Sequence, residues 1–479
     1  MQNNIKQNGE PLEVDSYVLF SRFIVLAERS QDPKPFFAHE LAHEPMTLFQ
    51  SGSLRTCKKA LLAQAIKANA VFVEKPTTTT IVIDGGSLLH RVRWNLPCTY
   101  AKIIEAYVSY VKSHYGDSCK IVFDGYNSGP STKDMEHDRR SNKKMANVTI
   151  SNDNIAYGPQ NAFLANDHNK EELIGLLKVA FMKAGHECHQ AKNDGDCLIA
   201  ATALDTADYE DTMVISDDTD IFIMLLYHHD DNKHKHIYWF SEASSRAKNS
   251  PSYLSIQDIK AKLSPLICKN ILFLHAWFGC DTTSSIYGFG KTFALKWIEN
   301  SQVAATHVSI FSQEDQSPEV IEEAGKNLFK DLYKGSVQDS LNDLRFNLYM
   351  KAITSSDTRL QPESLPPTES AAGCHSRRVY LQVQVWKKLN DSAVDPLFWG
   401  WKLQNDRLTP IMTEMALAPK ELLNIVRCSC KSSDCSSKRC SCRKAGLPCL
   451  YACTHCSKNG CINQRQELGE EVEDTSVLQ

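Results

Sequence analysis

What the chain lacks narrows its class first. No run of about 18 apolar residues occurs, so no membrane-spanning helix is expected. The opening, MQNNIKQNGEP, has no apolar core of the kind a secretory signal needs, and we expect a protein that is not secreted. Positive charge is not in excess: 53 Lys and Arg face 57 Asp and Glu, for a formal net charge of −4. A surface for nucleic acid must therefore be local. No internal repeat is visible, so the length divides among unlike parts. Cysteine is sparse before residue 428, where eight of the 17 lie, and dense from Cys428 to Cys461, where the other nine fall. Without a secretory signal, that density reads as metal binding rather than disulfides.

What is present allows two or three domains in 479 residues, and 42% apolar content supplies a sizeable core. We expect an N-terminal helical region over 1–75, an α/β domain over 76–300, a mixed connecting region over 301–425, a cysteine-rich module over 426–465 and an acidic, disordered tail over 466–479. In the first region His39-Glu40-Leu41-Ala42-His43 matches H-E-x-x-H. Pro33, Pro35 and Pro45 leave no long helix to carry the pair, and we read a chance match in a connecting segment.

The chemistry gathers elsewhere. Ile81–Ile83 and the IVF of CKIVFDG read as buried strands ending in Asp84-Gly85 and Asp124-Gly125, with a helical stretch from Tyr100 to Tyr115 between them. Strand, helix, strand is the pattern of a parallel sheet. Lys170 to Ala184 reads as an amphipathic helix closed by Gly185. Asp194 and Asp196 then open a small-residue helical run, and the apolar MVI ends at Ser216-Asp217-Asp218-Thr219-Asp220. Carboxylates packed at such edges repel one another unless a hard cation neutralises them, so we expect Mg²⁺ or Mn²⁺ held by aspartates. Further on, an apolar run ends at Asp281, and Gly288-Phe289-Gly290-Lys291 leads into a second helix, the arrangement of a phosphate-binding hairpin. Residues 131–144 are charged, with Lys133, Arg139 and Arg140 as candidate phosphate contacts; RRSNKK also reads as a nuclear address. We read HHDDNKHKH (228–236) as a solvated hairpin loop between two strand-like runs, 145–169 as polar loop, SLPPTESAAG (364–373) as a linker, and Trp386, Trp399 and Trp401 as packing residues.

The order of these aspartates resembles the flap endonuclease/PIN-like nuclease superfamily. Asp84, Asp124, Asp194, Asp196, Asp218, Asp220 and Asp281 stand where that family carries seven acidic residues, and the likeness covers roughly 80–300. It implies a central parallel sheet flanked by helices, two Mg²⁺ or Mn²⁺ ions and water attack on a phosphodiester. It also implies that Lys133, Arg139 and Arg140 lie over the site and that Gly288, Gly290 and Lys291 anchor a duplex. The chain departs from the family in placing some 80 residues before Asp84, in using aspartate for both members of the E-x-E pair, in the extra Asp217, and in a short 125–165 segment where a helical arch would stand. Flap specificity is therefore not expected to carry over.

Cys428, Cys430, Cys435, Cys440, Cys442, Cys449, Cys453, Cys456 and Cys461 resemble the tesmin-type CXC domain and the pre-SET cluster, in which nine thiolates hold three Zn²⁺ by sharing. Three separate tetrahedral sites would need twelve ligands. Residues 427–466 carry eight basic residues against Asp434 alone, so DNA-backbone contact is expected, with Arg439 in the place where DNA-reading CXC domains use tyrosine. We thus expect a nuclear, or otherwise cytoplasmic, metal-dependent nuclease targeted by a zinc module, with DNA as partner in preference to RNA and no membrane. Two alternatives stand: a non-catalytic DNA- or chromatin-binding protein on a retired, mobile-element-derived nuclease fold, and a PIN-like ribonuclease.

Overall fold

The computed structural model describes residues 6–7, 10–11, 20–21, 23–25, 32–68, 70–77, 79–126, 129–135, 144–241, 253–336, 338–354, 361–390 and 394–419. Between 428 and 463 it describes 428, 430, 435–437, 439–444, 447, 449, 453, 456 and 461–463. The chain folds into two compact units, each built from separate segments: 48–337 with 371–412, and 1–47 with 338–370 and 413–479. Residues 48–75 and 301–337 therefore fold with the acidic sheet.

In the larger unit the parts that matter are, in chain order, helix α1 (Ala60–Lys67), strand β1 (Phe72–Val73), β2 (Thr80–Asp84), α2 (Gly85–Arg91), α3 (Tyr100–Tyr115), β3 (Cys119–Phe123), α4 (Asp167–Lys183), β4 (Glu187–Gln190), α5 (Asp196–Ala207), β5 (Thr212–Ile215), α6 (Thr219–His228), β6 (Ile237–Phe240), β7 (Tyr253–Ser255), α7 (Pro265–Trp277), α8 (Lys291–Asn300) and α9 (Glu369–Lys388). The seven strands lie in the order β4-β3-β2-β5-β6-β7-β1. The run from β4 to β6 is parallel throughout; β7 and β1 are antiparallel additions at one edge. From β2 the chain moves out through β3 and β4, then returns to the other flank of β2 to make β5. That reversal is a topological switch point, and it opens a crevice outside the carboxyl ends of β2, β3 and β5.

Alternate residues set the two faces. Ile81, Ile83, Ile121, Phe123, Met213 and Ile215 share one core with Tyr107 and Val111 of α3 and Leu173, Leu177 and Phe181 of α4. Val82, Val122 and Val214 are buried as well, on the face where α5 packs against β2 and β5. Covering both faces explains why these strands are continuous apolar runs rather than alternating ones. The expected mixed α/β class, a mostly parallel sheet flanked by helices with a separate cysteine cluster, is what the chain forms.

Three local readings are corrected. The strand-like run before 228–236, IFIMLL at residues 221–226, lies inside α6, which packs against α5, α7 and α1 and is buried all round. A short apolar run carries no period that separates helix from strand; the Asp218 side chain accepting the Asp220 N–H, a helix cap, makes the choice. Residues 229–236 therefore join a helix to a strand and do not form a hairpin loop between strands. The segment 364–373 does carry the chain from one unit into the other, but not as loose linker: Leu365 and Thr368 are buried, and from Glu369 it is already α9. Within 145–169 the chain makes a strand at Ile155–Ala156 and a helix at Gln160–Leu164. Trp386, Trp399 and Trp401 are buried, as packing residues are.

The smaller unit has its own apolar cluster, including Phe37, Leu41, Tyr349, Leu365 and Ala418. Here the H-E-x-x-H match is disposed of. Residues 41–44 are bends, and the Glu40 carboxylate is buried against Arg345 at 3.6 Å and the Thr368 hydroxyl at 2.7 Å. Among the described residues no helix is long and apolar enough to cross a membrane.

Candidate metal centres

The carboxyl edge of the sheet builds the first centre. Asp84 ends β2 and caps α2: its Oδ1 accepts the Ser87 N–H at 2.9 Å and its Oδ2 the Ser216 hydroxyl at 2.7 Å. Ser216, just past β5, also accepts the Asp218 N–H at 3.0 Å, so one hydroxyl ties together the ends of two neighbouring strands. Asp124 follows β3; its Oδ1 accepts the Gly195 N–H at 2.8 Å and its Oδ2 the Tyr126 hydroxyl at 3.0 Å. Asp194 and Asp196 flank Gly195, the N-cap of α5. Carboxylate oxygens of Asp196, Asp218 and Asp220 lie within 4.8 Å of one another, close enough to share an ion.

Two ammonium groups sit among these acids. Lys133 Nζ is 2.5 Å from Asp194 Oδ2 and 2.7 Å from Asp196 Oδ2. Lys59 Nζ is 3.0 Å from Asp218 Oδ2, 3.0 Å from Asp281 Oδ2 and 3.5 Å from Asp220 Oδ1. Burial alone would discharge both lysines, yet the surrounding carboxylates hold their pKa values well above the usual range. The acids diverge. Burial, with Asp124 nearby, pushes Asp84 up to about 6; burial and then Asp194 push Asp196 well up; burial pushes Asp218 up. Burial would raise Asp220 too, but the Lys59 charge and a hydrogen bond from His275 hold it well below its ordinary value. Seven carboxylates against two ammonium groups leave an unbalanced oxygen-donor set, which fits a hard divalent cation.

Behind Asp220 lies a buried relay. Asp220 Oδ1 is 2.8 Å from His275 Nε2, and Lys291 Nζ is 2.7 Å from His275 Nδ1 and 2.6 Å from the His275 carbonyl oxygen. With Lys291 donating to Nδ1, the ring proton stands on Nε2 and points at the carboxylate. This alters the expectation for Lys291. It is 2% exposed and turned inward, so its ammonium does not reach out to a phosphate. Gly288, with φ of +81°, and Gly290, the N-cap of α8, do form the turn into that helix.

Five of the expected aspartates, Asp194, Asp196, Asp218, Asp220 and Asp281, thus meet the two lysines, while Asp84 and Asp124 are held by Ser87, Ser216, Gly195 and Tyr126; Lys133 faces the acids rather than standing free as a phosphate contact. The extra acid, Asp217, turns elsewhere, accepting from Arg91 at 3.3 Å and the Ser241 hydroxyl at 2.7 Å. Arg139 and Arg140 lie outside the described residues. Sequence reading missed Lys59, Ser216 and His275. A histidine inside an apolar helix six residues before Asp281 was a usable signal; Lys59 offered none.

Gly195 shows why the acidic pair reads D-G-D. A Cβ there would come within 2.6 Å of Asp124 Oδ1. Gly195→Ala is expected to displace Asp124 and destabilise the unit by about 1–3 kcal/mol, with divalent-ion affinity falling while the far-ultraviolet spectrum is kept. A melting curve and a metal titration check this; unchanged affinity would place Asp124 outside the ion's reach.

The cysteines form the second centre. Their sulfurs assemble three overlapping groups of four: 428, 435, 440 and 449; 428, 449, 453 and 456; and 435, 449, 456 and 461. Cys428 Sγ lies 3.8 Å from Cys435, 3.9 Å from Cys449 and 3.9 Å from Cys456, and Cys440 lies 3.8 Å from Cys449. Thiolates on one tetrahedral ion with bonds of about 2.3 Å stand about 3.8 Å apart. Cys442 is 3.5 Å from Cys453, and Cys430 is partly exposed at the margin. Among the described residues no cysteine is paired in a disulfide. Arg439 is exposed beside this cluster.

No protein-family model and no curated protein matches the chain. Among solved structures it is similar to the T5 D15 protein co-crystallized with metal ions, with TM-score 0.32 and 16% identity over 65% of this chain and 99% of that one. T5 5′-exonuclease with bound zinc gives 0.32 and 15% over 65% and 99%, and the catalytic core of Rad2 in complex with DNA substrate gives 0.35 and 16% over 70% and 87%.

Proposed function

We propose that the acidic centre is a metal-dependent phosphodiesterase site acting on nucleic acid, DNA in preference to RNA, and that the cysteine cluster is a zinc-loaded, DNA-binding module of the tesmin-type CXC kind. The observation that carries this is the convergence of seven aspartates on a topological switch point, with three of them placed to share one ion. Asp196, Asp218 and Asp220 would hold a Mg²⁺ or Mn²⁺ ion, which when bound supplies Lewis-acid polarisation of a phosphodiester and a water of lowered pKa. The chain's own residues prepare the place. Ser216 keeps Asp84 and Asp218 in register, His275 orients Asp220, and Lys59 and Lys133 offset part of the acidic charge. The basic balance of 427–466 supports DNA-backbone contact, and the RRSNKK segment supports a nuclear location.

A second reading is favoured by one feature. Both ammonium groups already sit on the carboxylates, as in a site that no longer works metal, so the chain would be a DNA-binding protein on a retired nuclease fold. Labelled single-stranded, duplex and flapped DNA and single-stranded RNA, incubated with the purified chain in Mg²⁺, Mn²⁺ or chelator, decide between them. Cleavage of DNA that chelator abolishes is expected. Cleavage of none of the four in either metal would leave the binding protein, and cleavage of RNA alone would leave the ribonuclease.

A further inference from the structure

Lys59 bears on how many ions the acidic centre can take. Its ammonium meets both oxygens of Asp218, at 3.2 and 3.0 Å, and reaches Asp281 and Asp220 as well. Three carboxylates converging on one positive charge is the arrangement a second divalent ion would otherwise claim. The backbone leading into Lys59 is anchored beside the acids. Cys57 Sγ donates to the Gly279 carbonyl at 3.1 Å, the Ser285 N–H donates to the Arg55 carbonyl at 2.7 Å, and the Ser285 hydroxyl donates to the Thr56 carbonyl at 3.0 Å. Residues 55–57 are thus stitched to both sides of Asp281. Just beyond, α1 buries Leu62, Ala63 and Ile66. With the chain held on both sides, the root of Lys59 stays beside Asp281.

We propose that Lys59 is a resident cation that occupies the second metal position on Asp218, Asp220 and Asp281, so that the centre takes one divalent ion where a site with those carboxylates free would take two. This rests on the acidic centre binding divalent ions at all. The three aspartates placed to share an ion are already neutralised in part, Asp218 and Asp220 by Lys59 and Asp196 by Lys133. An entering ion therefore meets a like charge a few ångströms away, in surroundings far less screening than water. An ammonium also differs from a metal in what it can do. It can pair with a phosphate oxygen, but it offers no open coordination position for a water or a leaving oxygen.

The test is a calorimetric Mn²⁺ titration of the full-length chain with its cysteine cluster zinc-loaded. The Asp196→Asn/Asp218→Asn/Asp220→Asn variant sets the background, and Lys59→Met and Lys59→Arg run beside it. Wild type is expected to bind one Mn²⁺ above background. Lys59→Met is expected to bind two, the first roughly tenfold tighter or more, and to melt lower than wild type without metal but recover when Mn²⁺ is added. Lys59→Arg, which keeps the charge, should match wild type. Two ions in wild type, a Lys59→Met variant unchanged in count and affinity, or Lys59→Arg behaving like Lys59→Met would overturn the resident cation while leaving the metal site standing. No Mn²⁺ above background in any form would sink the metal reading and this inference together. Should Lys59→Met not fold, the wild-type count alone decides.

Discussion

Cys449→Ser is expected to strip more than one metal ion from the chain and to leave the segment around it unfolded, whereas Cys430→Ser is expected to cost little. Cys449 belongs to all three of the overlapping four-sulfur groups, and Cys430 to none of them. If thiolates are shared, the centre is not three independent sites but one cluster, and removing the common sulfur opens every site at once. The energetic stake is large because the segment has little else. From Cys428 to Cys461 the buried residues among those described are eight of the cysteines and Leu447. Metal must replace the missing apolar core, and structural zinc supplies about 10–16 kcal/mol in small domains that depend on it. Metal analysis of each variant, with proteolysis of 428–463 as the readout of folding, checks the prediction. A Cys449→Ser protein that loses no more zinc than Cys430→Ser would show that the sulfurs are not shared in this way.

The same contrast between dense local signal and distant placement decides how much of the molecule was legible in its sequence. Strands buried on both faces carry no alternation, but they end abruptly in polar residues, and Asp84, Asp124 and Asp218 stood out for that reason. Asp194 and Asp196 were legible because they open a run of small residues that only a helix packed closely on a sheet would require. Lys59 was not legible. Its neighbours are an alanine-rich helix, where a lysine is by default a solvated face. What aims it at the acids are bonds to Gly279 and Ser285, residues more than 200 positions away, which no local pattern records. Lys291 misled for a related reason. G-F-G-K places a lysine at the start of a helix, but whether that side chain turns out toward a ligand or in toward His275 depends on how α7 packs behind it. The prolines of 361–367 suggested a linker because proline marks chain that leaves regular structure; here Leu365 is packed against its own unit, and the buried Thr368 donates to Glu40.

Asp218 and Asp220 should separate stability from activity. Neutralising either is expected to lower metal-dependent cleavage about 10³-fold, since a bound ion contributes several kcal/mol of charge stabilisation in the transition state. Their effects on folding should differ in sign. Asp220 is 1% exposed and is the acceptor for His275 and a partner of Lys59. Asp220→Ala strands the His275 Nε2–H and removes the charge that Lys59 and the His275–Lys291 relay are arranged around, a loss of roughly 3–5 kcal/mol for breaking a buried pair. Asp218 is the opposite case. Burial, only partly offset by the Lys59 charge, and the neighbouring Asp220 disfavour its ionised form, so its folded pKa lies above its unfolded one. Such a carboxylate detracts from stability above its ordinary pKa, and the penalty disappears as pH falls through the unfolded value and the group is protonated in both states. Asp218→Asn removes that penalty while keeping an oxygen to cap α6, so at neutral pH without metal it should melt at or above wild type. Paired melting curves in chelator and cleavage rates in Mn²⁺ measure both effects. If Asp218→Asn melted as far below wild type as Asp220→Ala, the carboxylates would be holding the fold together instead of being held apart by it, and the case for a site strained toward binding a cation would fail.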